Sequence, residues 1–135
     1  MKIAICGHLK FAEDMKRIKS ELEQKGHSVD LPIKVDGTDY NNKSVSKGAN
    51  NIIEYDLIKE HYKKIINSDA ILVINPGKNN IKDYIGGNSF LEMGFAHVTD
   101  KKIFILNDLP IGLNYCEEII GMQPTILNGD LNKIK

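Results

Sequence analysis

"AILVIN", residues 70–75, is a continuous apolar run closed by one polar residue. No polar position interrupts it, which does not suit a strand with one face in water. It reads as a strand buried on both faces, as in a parallel sheet. Two other runs share the pattern: "KIAIC", 2–6, ending at Gly7, and "KIFILN", 102–107. Between them the apolar spacing turns helical. Phe11, Met15, Ile18 and Leu22 recur every three or four residues and stop at Gly26, a residue suited to a helix C-terminus. Ile52, Tyr55, Ile58, Tyr62, Ile65 and Ile66 form a second stripe, in a helix starting near Asn50 or Asn51. Lys63 and Lys64 lie in its last turns, where the helix dipole favours cations. "HSVDLP" adds a short strand ended by Pro32, residues 113–121 a short helix, and 125–127 a last strand.

The order β-α-β-(loop)-α-β-α-β-α-β predicts one α/β domain over residues 1–135. About five mostly parallel strands should be covered by helices on both faces. Residues 33–50 are polar, contain Gly37 and Gly48 and show no period; a connection of that length reads as a lid or flexible loop. Ligands of such sheets bind beyond the carboxyl ends of the strands. Gly7–Lys10, the 33–50 loop, Asn75–Gly87 and the residues after Asn107 should meet there.

Composition removes several function classes. The 135 residues carry 18 basic and 18 acidic side chains, so no electrostatic warrant exists for a nucleic-acid polymer or an anionic membrane as partner. No apolar run approaches the length of a membrane span, and the N-terminus lacks a signal-peptide pattern. Cys6 and Cys116 form no CxxC pair and read as reduced thiols of a cytosolic, cytoplasmic protein. No metal signature is present, neither HExxH nor an EF-hand loop nor a Cys/His pairing, so no metal site is expected, and the G-x-S-x-G of a serine nucleophile is missing too.

One acid stands out. Glu92 lies inside the apolar stretch "SFLEMGFA" just behind Gly86 and Gly87. "SFLE", 89–92, has the S-x-x-E form of a capping box, in which Glu92 satisfies a backbone N–H at a helix start. The same first-turn position would favour its charged form and suit a nucleophile or a stabiliser of a developing cation. Both readings can hold together. Gly7-His8-Leu9-Lys10 is a βα turn whose amides, with Lys10, suit an anion such as phosphate, or it is an ordinary tight turn. Asp83 is a candidate second carboxylate, as proton donor or sugar clamp, or a turn former beside Tyr84. Asn75 closes its strand and is placed either to contact substrate or to start the turn at Pro76. His8 is the histidine placed to touch a ligand. His61 reads as helix surface, Tyr62 as a core contact, His97 as packing, and Asp69 as structural at the opposite end of its strand.

The segments "ICGHLKFAEDM", "LEQKGHSVDLP", "SDAILVIN" and "GGNSFLEMGFAHVTDKKIFIL" resemble, in order, the nucleoside 2-deoxyribosyltransferase family. They also resemble its relatives that hydrolyse deoxynucleoside 5′-monophosphates. The most specific part is Glu92-x-Gly94-x-Ala96 followed by Lys102 and a strand; residues 33–50 and the last dozen match poorly. The resemblance implies a flavodoxin-like, Rossmann-like three-layer sandwich, usually a homo-oligomer in which a neighbouring subunit completes the site. It implies that Glu92 is the nucleophile attacking C1′ of deoxyribose, and that the loop Cys6–Lys10 helps hold the substrate. The expected partner is then a small nucleoside or nucleotide, with no cofactor. Gly7, His8, Leu9, Lys10, Asn75, Gly86, Gly87, Asn88 and Ser89 become candidate substrate-binding positions. Two positions depart from the family. Gly86 stands where an Asp or Ser is frequent, six residues before the nucleophile, and His8 stands where the transferases commonly carry an aromatic residue.

The reaction so implied is a retaining displacement at an N-glycosidic bond, with the two-carboxylate logic of retaining glycosidases. The alternative is a non-catalytic nucleotide-binding module of the same fold. A third reading keeps Glu92 but changes the donor to an NAD-like dinucleotide, for which Gly7–Lys10 carries no fingerprint.

Overall fold

The computed structural model describes residues 1–32, 56–78 and 80–135. The expected 33–50 loop and the expected helix start near Asn50, with Ile52 and Tyr55, lie outside the described residues. Strands β1 (Lys2–Gly7), β2 (Ser28–Asp30), β3 (Ala70–Ile74), β4 (Lys102–Ile105) and β5 (Thr125–Ile126) form one sheet in the order β2-β1-β3-β4-β5. Every pairing is parallel, with Ile3 against Ala70, Ala70 against Lys102, and Phe104 against Thr125. This is the doubly wound flavodoxin-like order, whose switch point lies between β1 and β3. Helices α1 (Ala12–Gln24), α2 (Leu57–Ile66), α3 (Gly87–Val98) and α4 (Cys116–Gly121) connect and cover the strands.

All five residues of β3 are buried, as its unbroken apolar run requires. The strand period of two then divides the core. Ile3, Ile5, Leu72, Ile74 and Phe104 point to one side of the sheet and pack with Met15, Ile18 and Leu22 of α1. Ala4, Cys6, Ile71, Val73, Ile103 and Ile105 point to the other and pack with Ile65 of α2, Met93 and Ala96 of α3, and Ile119 of α4. Fully burying a side chain of Leu22's size stabilises by about 1.5–3 kcal/mol.

Helix α1 stops where the sequence says. Gly26 takes φ +93°, its N–H donates to the Glu23 carbonyl at 3.0 Å, and His27 N–H donates to the Leu22 carbonyl at 3.1 Å. That pair of bonds is a Schellman cap, and the left-handed residue is glycine because a Cβ is penalised there. At the end of β1, a Cβ on Gly7 would sit 3.0 Å from Met15 Cε and 3.1 Å from Ile74 Cβ and O, so α1 and β3 close on β1 only around glycine.

Boundaries shift at three elements. Asn75 and Leu106–Asn107 fall just outside β3 and β4, α4 starts at Cys116 rather than near 113, and a 3-10 turn at Leu131–Lys133 was not anticipated. It folds Leu131 and Ile134 onto the α1 side of the core. Its four-residue apolar spacing is too short to stand out from sequence.

Candidate active site

Helix α3 begins at Gly87, with Gly86 as an extended N-cap that makes no side-chain cap bond and no acid in the first turn. The capping-box reading of Ser89 and Glu92 is therefore corrected. Ser89 is already the third helical residue and is buried, and Glu92 is the sixth. Two glycines and an asparagine are weak helix formers, so the sequence suggested a later start. The buried Ile85 anchors the approach, and Phe90 N–H donates to the Gly86 carbonyl at 2.9 Å. The first-turn dipole argument for Glu92 falls with that start, because the dipole acts within the first turn.

Glu92 instead meets two side chains from other elements. Its Oε2 lies 2.9 Å from His61 Nε2, and its side chain is 19% exposed. His61 Nε2 is also 3.4 Å from Cys6 Sγ. The Cys6 thiol is fully buried on β1, and its pKa is pushed up, chiefly by burial and then by the charge of Glu92 and a hydrogen bond to it. Cys6 is thus an inert thiol at neutral pH rather than a nucleophile. Two buried polar atoms have no hydrogen-bond partner among the described residues: His61 Nδ1 and Glu92 Oε2.

The expectation that His61 is helix surface is corrected, since it is buried. The signal was present. Ile58, His61 and Ile65 follow one another at three and four residues, so His61 lies on the stripe that faces α3. Its polarity, rather than its spacing, led it outward. Tyr62 packs edge-on against Phe95 of α3 with ring centroids 5.1 Å apart. Where the helices meet, Leu57, Ile58, Asn88, Leu91, Glu92 and Phe95 line a hollow of about 60 Å³. Glu92 and Asn88 are its polar groups in a wall of hydrocarbon.

The remaining candidates distribute as follows. His8 caps the 3-10 turn Leu9–Phe11, its Nδ1 accepting from Lys10 N–H at 3.1 Å. Phe11 N–H donates to the His8 carbonyl and Ala12 N–H to that of Leu9, so these amides are spent inside the turn. Leu9 packs partly against the α1 core. Anion capture at this turn would fall to side chains: Lys10, over the Phe11 ring at 5.2 Å, and Lys78, over the Tyr84 ring at 5.9 Å. Burial, then Lys78 and Lys10, lower the pKa of His8.

Asn75 is fully buried and its amide is used up. It donates to the carbonyls of Asp83 at 3.2 Å and Asp108 at 2.8 Å, and accepts from Asn107 N–H at 2.9 Å. Asn75 thus ties together the loops beyond β3 and β4. Asp83 is buried at φ +59° and stands outside the group of ligating atoms formed by Cys6, His61 and Glu92. Gly87 is exposed with open space where a Cβ would be, and Asn88 borders the hollow. Asp69 is structural at the amino end of β3, its Oδ2 accepting from Lys2 N–H at 2.7 Å. His97 is exposed rather than packed.

No family model matches the chain, and no curated protein matches it in sequence. Solved structures do match. A 2-deoxyribosyltransferase from Bacillus psychrosaccharolyticus superposes with a TM-score of 0.55 at 14% identity, over 78% of this chain and 71% of its own. The likeness is one of fold. The flavoenzyme FerB, an NAD(P)H:(acceptor) oxidoreductase from Paracoccus denitrificans, superposes with a TM-score of 0.50 at 12% identity, over 93% and 74%. The CMP N-glycosidase BcmB from Clostridium botulinum gives 0.49 at 19%, over 93% and 85%. A transferase and an oxidoreductase on one architecture leave function to the site. Among the described residues no helix is long and apolar enough to cross a membrane.

Proposed function

We propose that this chain cleaves or transfers the N-glycosidic bond of deoxynucleosides or their 5′-monophosphates, with Glu92 as nucleophile. The observation that carries the reading is Glu92 itself. It is a partly exposed carboxylate on the wall of an apolar hollow, its Oε2 buried 2.9 Å from His61 Nε2. The sequence resemblance centred on Glu92, Gly94 and Ala96 supports it, and the fold shared with a 2-deoxyribosyltransferase is compatible with it.

In this mechanism the Glu92 oxygen attacks C1′ as the bond to the base breaks. The base leaves with a proton from solvent or from Asp83, and a glycosyl ester forms. Water or a second base then displaces Glu92 with a second inversion, so configuration is retained. Gly86, Gly87, Asn88 and Ser89 would border the sugar. His8, Leu9 and Lys10 with Gly7 would lie toward the 5′ end, where Lys10 and Lys78 suit a phosphate. The hollow is far smaller than the roughly 300 Å³ or more of a small-molecule pocket. Under this reading a second copy of the chain completes the site, as the family resemblance implies.

Free base released from deoxynucleosides and their monophosphates, followed chromatographically, tests the proposal. Glu92→Gln should lower release by about 10³-fold or more, as loss of a covalent nucleophile does, with unchanged circular dichroism. Absence of any Glu92-dependent release removes it. One observation favours a second reading, a nucleotide-binding module without turnover: Asp83 is not among the groups clustered at Glu92. That reading expects thermal stabilisation by nucleotide in both wild type and Glu92→Gln, without product.

A further inference from the structure

Cys6 of β1, His61 of α2 and Glu92 of α3 come from distant parts of the chain, yet their ligand atoms converge. Sγ and Nε2 are 3.4 Å apart, Nε2 and Oε2 are 2.9 Å apart, and all of the group lie within 4.8 Å of one another. A tetrahedral zinc ion with bonds of about 2.0–2.3 Å holds its ligand atoms about 3.3–3.7 Å apart. Two of the three edges lie within a few tenths of an ångström of that spacing, and the third does not exceed 4.8 Å.

A purely structural polar cluster would pair its atoms, since buried polar groups are nearly always bonded. This one leaves Glu92 Oε2 buried with no hydrogen bond among the described residues. Of the three, Glu92 alone borders the hollow of about 60 Å³, which has room for a water against its carboxylate, a water occupying about 30 Å³. Sulfur with imidazole and one carboxylate selects zinc-class ions over magnesium or calcium.

We propose that Cys6, His61 and Glu92 form a binding site for a thiophilic divalent cation of the zinc class, which ties up the Glu92 carboxylate when filled. The inhibitory consequence rests on Glu92 being the nucleophile; the binding does not. On binding, the Cys6 thiol loses its proton to solvent and forms the sulfur–metal bond. His61 gives the lone pair of Nε2 and keeps its proton on Nδ1. Glu92 gives one oxygen, which is then no longer free to attack carbon.

The test uses the full chain, reduced and freed of metal by chelator, titrated with Co²⁺. One equivalent should produce a thiolate-to-cobalt charge-transfer band and the intense visible bands of tetrahedral Co²⁺. One equivalent of Zn²⁺ should bleach both, and excess Mg²⁺ should not. Cys116→Ser should keep the spectrum. Cys6→Ser should lose the charge-transfer band. His61→Gln should weaken binding by more than the roughly 10–100-fold that loss of an outer-shell partner gives. If Cys6→Ser fails to fold by circular dichroism, wild type with His61→Gln decides. No charge-transfer band in wild type overturns the proposal, as does a band that survives Cys6→Ser and vanishes in Cys116→Ser. Base release is followed separately. Zn²⁺ at one equivalent should abolish it and chelator should restore it, whereas turnover unchanged in zinc-loaded protein overturns the inhibitory role. If metal-free protein releases no base, the glycosidic reading fails while the cobalt spectrum still judges the site.

Discussion

The two faces of the sheet are built from alternate residues of the same strands, yet their helices bury different things. The buried residues of α1 are all apolar: Met15, Ile18 and Leu22. Helix α2 buries His61 beside Ile65, and α3 buries Ser89 beside Met93 and Ala96, with Cys6 beneath and Glu92 at the edge. A face that only closes a core can be hydrocarbon throughout. A face that keeps unpaired polar atoms in its core breaks that local rule, and such breaks concentrate at functional sites.

The contrast can be broken by experiment. The largest stability effect should come from the apolar face. Leu22→Ala removes a fully buried side chain and should cost about 2–5 kcal/mol in urea unfolding, with base release unaltered in the folded fraction. Next comes the hub at the end of β3. Asn75→Ala strips a hydrogen bond from Asn107 N–H and from the carbonyls of Asp83 and Asp108. Leaving such groups unpaired should cost about 1–3 kcal/mol.

His61→Leu sharpens the comparison, because it makes the polar face resemble the apolar one. It removes the unpartnered Nδ1 and keeps a similar volume. Because Glu92 then keeps a buried oxygen without its His61 contact, the change should cost about 1–3 kcal/mol, and adding Glu92→Leu should recover most of it, since apolar replacement of both members of a buried pair is neutral or stabilising. A loss as large as that of Leu22→Ala would mean that His61 is there for the fold, and the contrast would fail.

The smallest effect belongs to His8. Its pKa is lowered in the folded chain by burial, Lys78 and Lys10, so the unfolded chain takes up the proton first as pH falls. Stability should therefore decline slightly on acidification below about pH 6.5, the ordinary histidine value. His8→Asn, which keeps a cap acceptor, should flatten that part of a melting-temperature profile.

Much of the architecture was legible. The unbroken run at 70–75 announced a strand buried on both sides, and the spacing of Met15, Ile18 and Leu22 announced a helix lying on one face of it. Gly26 marked its end, because only the left-handed conformation closes that cap cheaply. The cap of α3 was not legible: the S-x-x-E pattern pointed to Ser89, whereas Gly86 stands at the N-cap and makes no side-chain bond. The short turn at Leu131–Lys133 has too few residues to show a period. At the site, Glu92 could be singled out as an acid in an apolar stretch, but its neighbours could not. Cys6 and His61 are 86 and 31 positions away, and local spacing carries no information across such separations.

Apolar periodicity by itself determined the layers, the parallel sheet and the end at which loops gather, since each element must bury its own hydrophobic face. Only the tertiary structure decided what stands beside Glu92. That depends on the crossing of α2 over α3 above β1, where buried groups from distant segments are forced into contact. The same packing turned His61 inward, and the meeting of the loops beyond β3 and β4 made Asn75 a bracket between them.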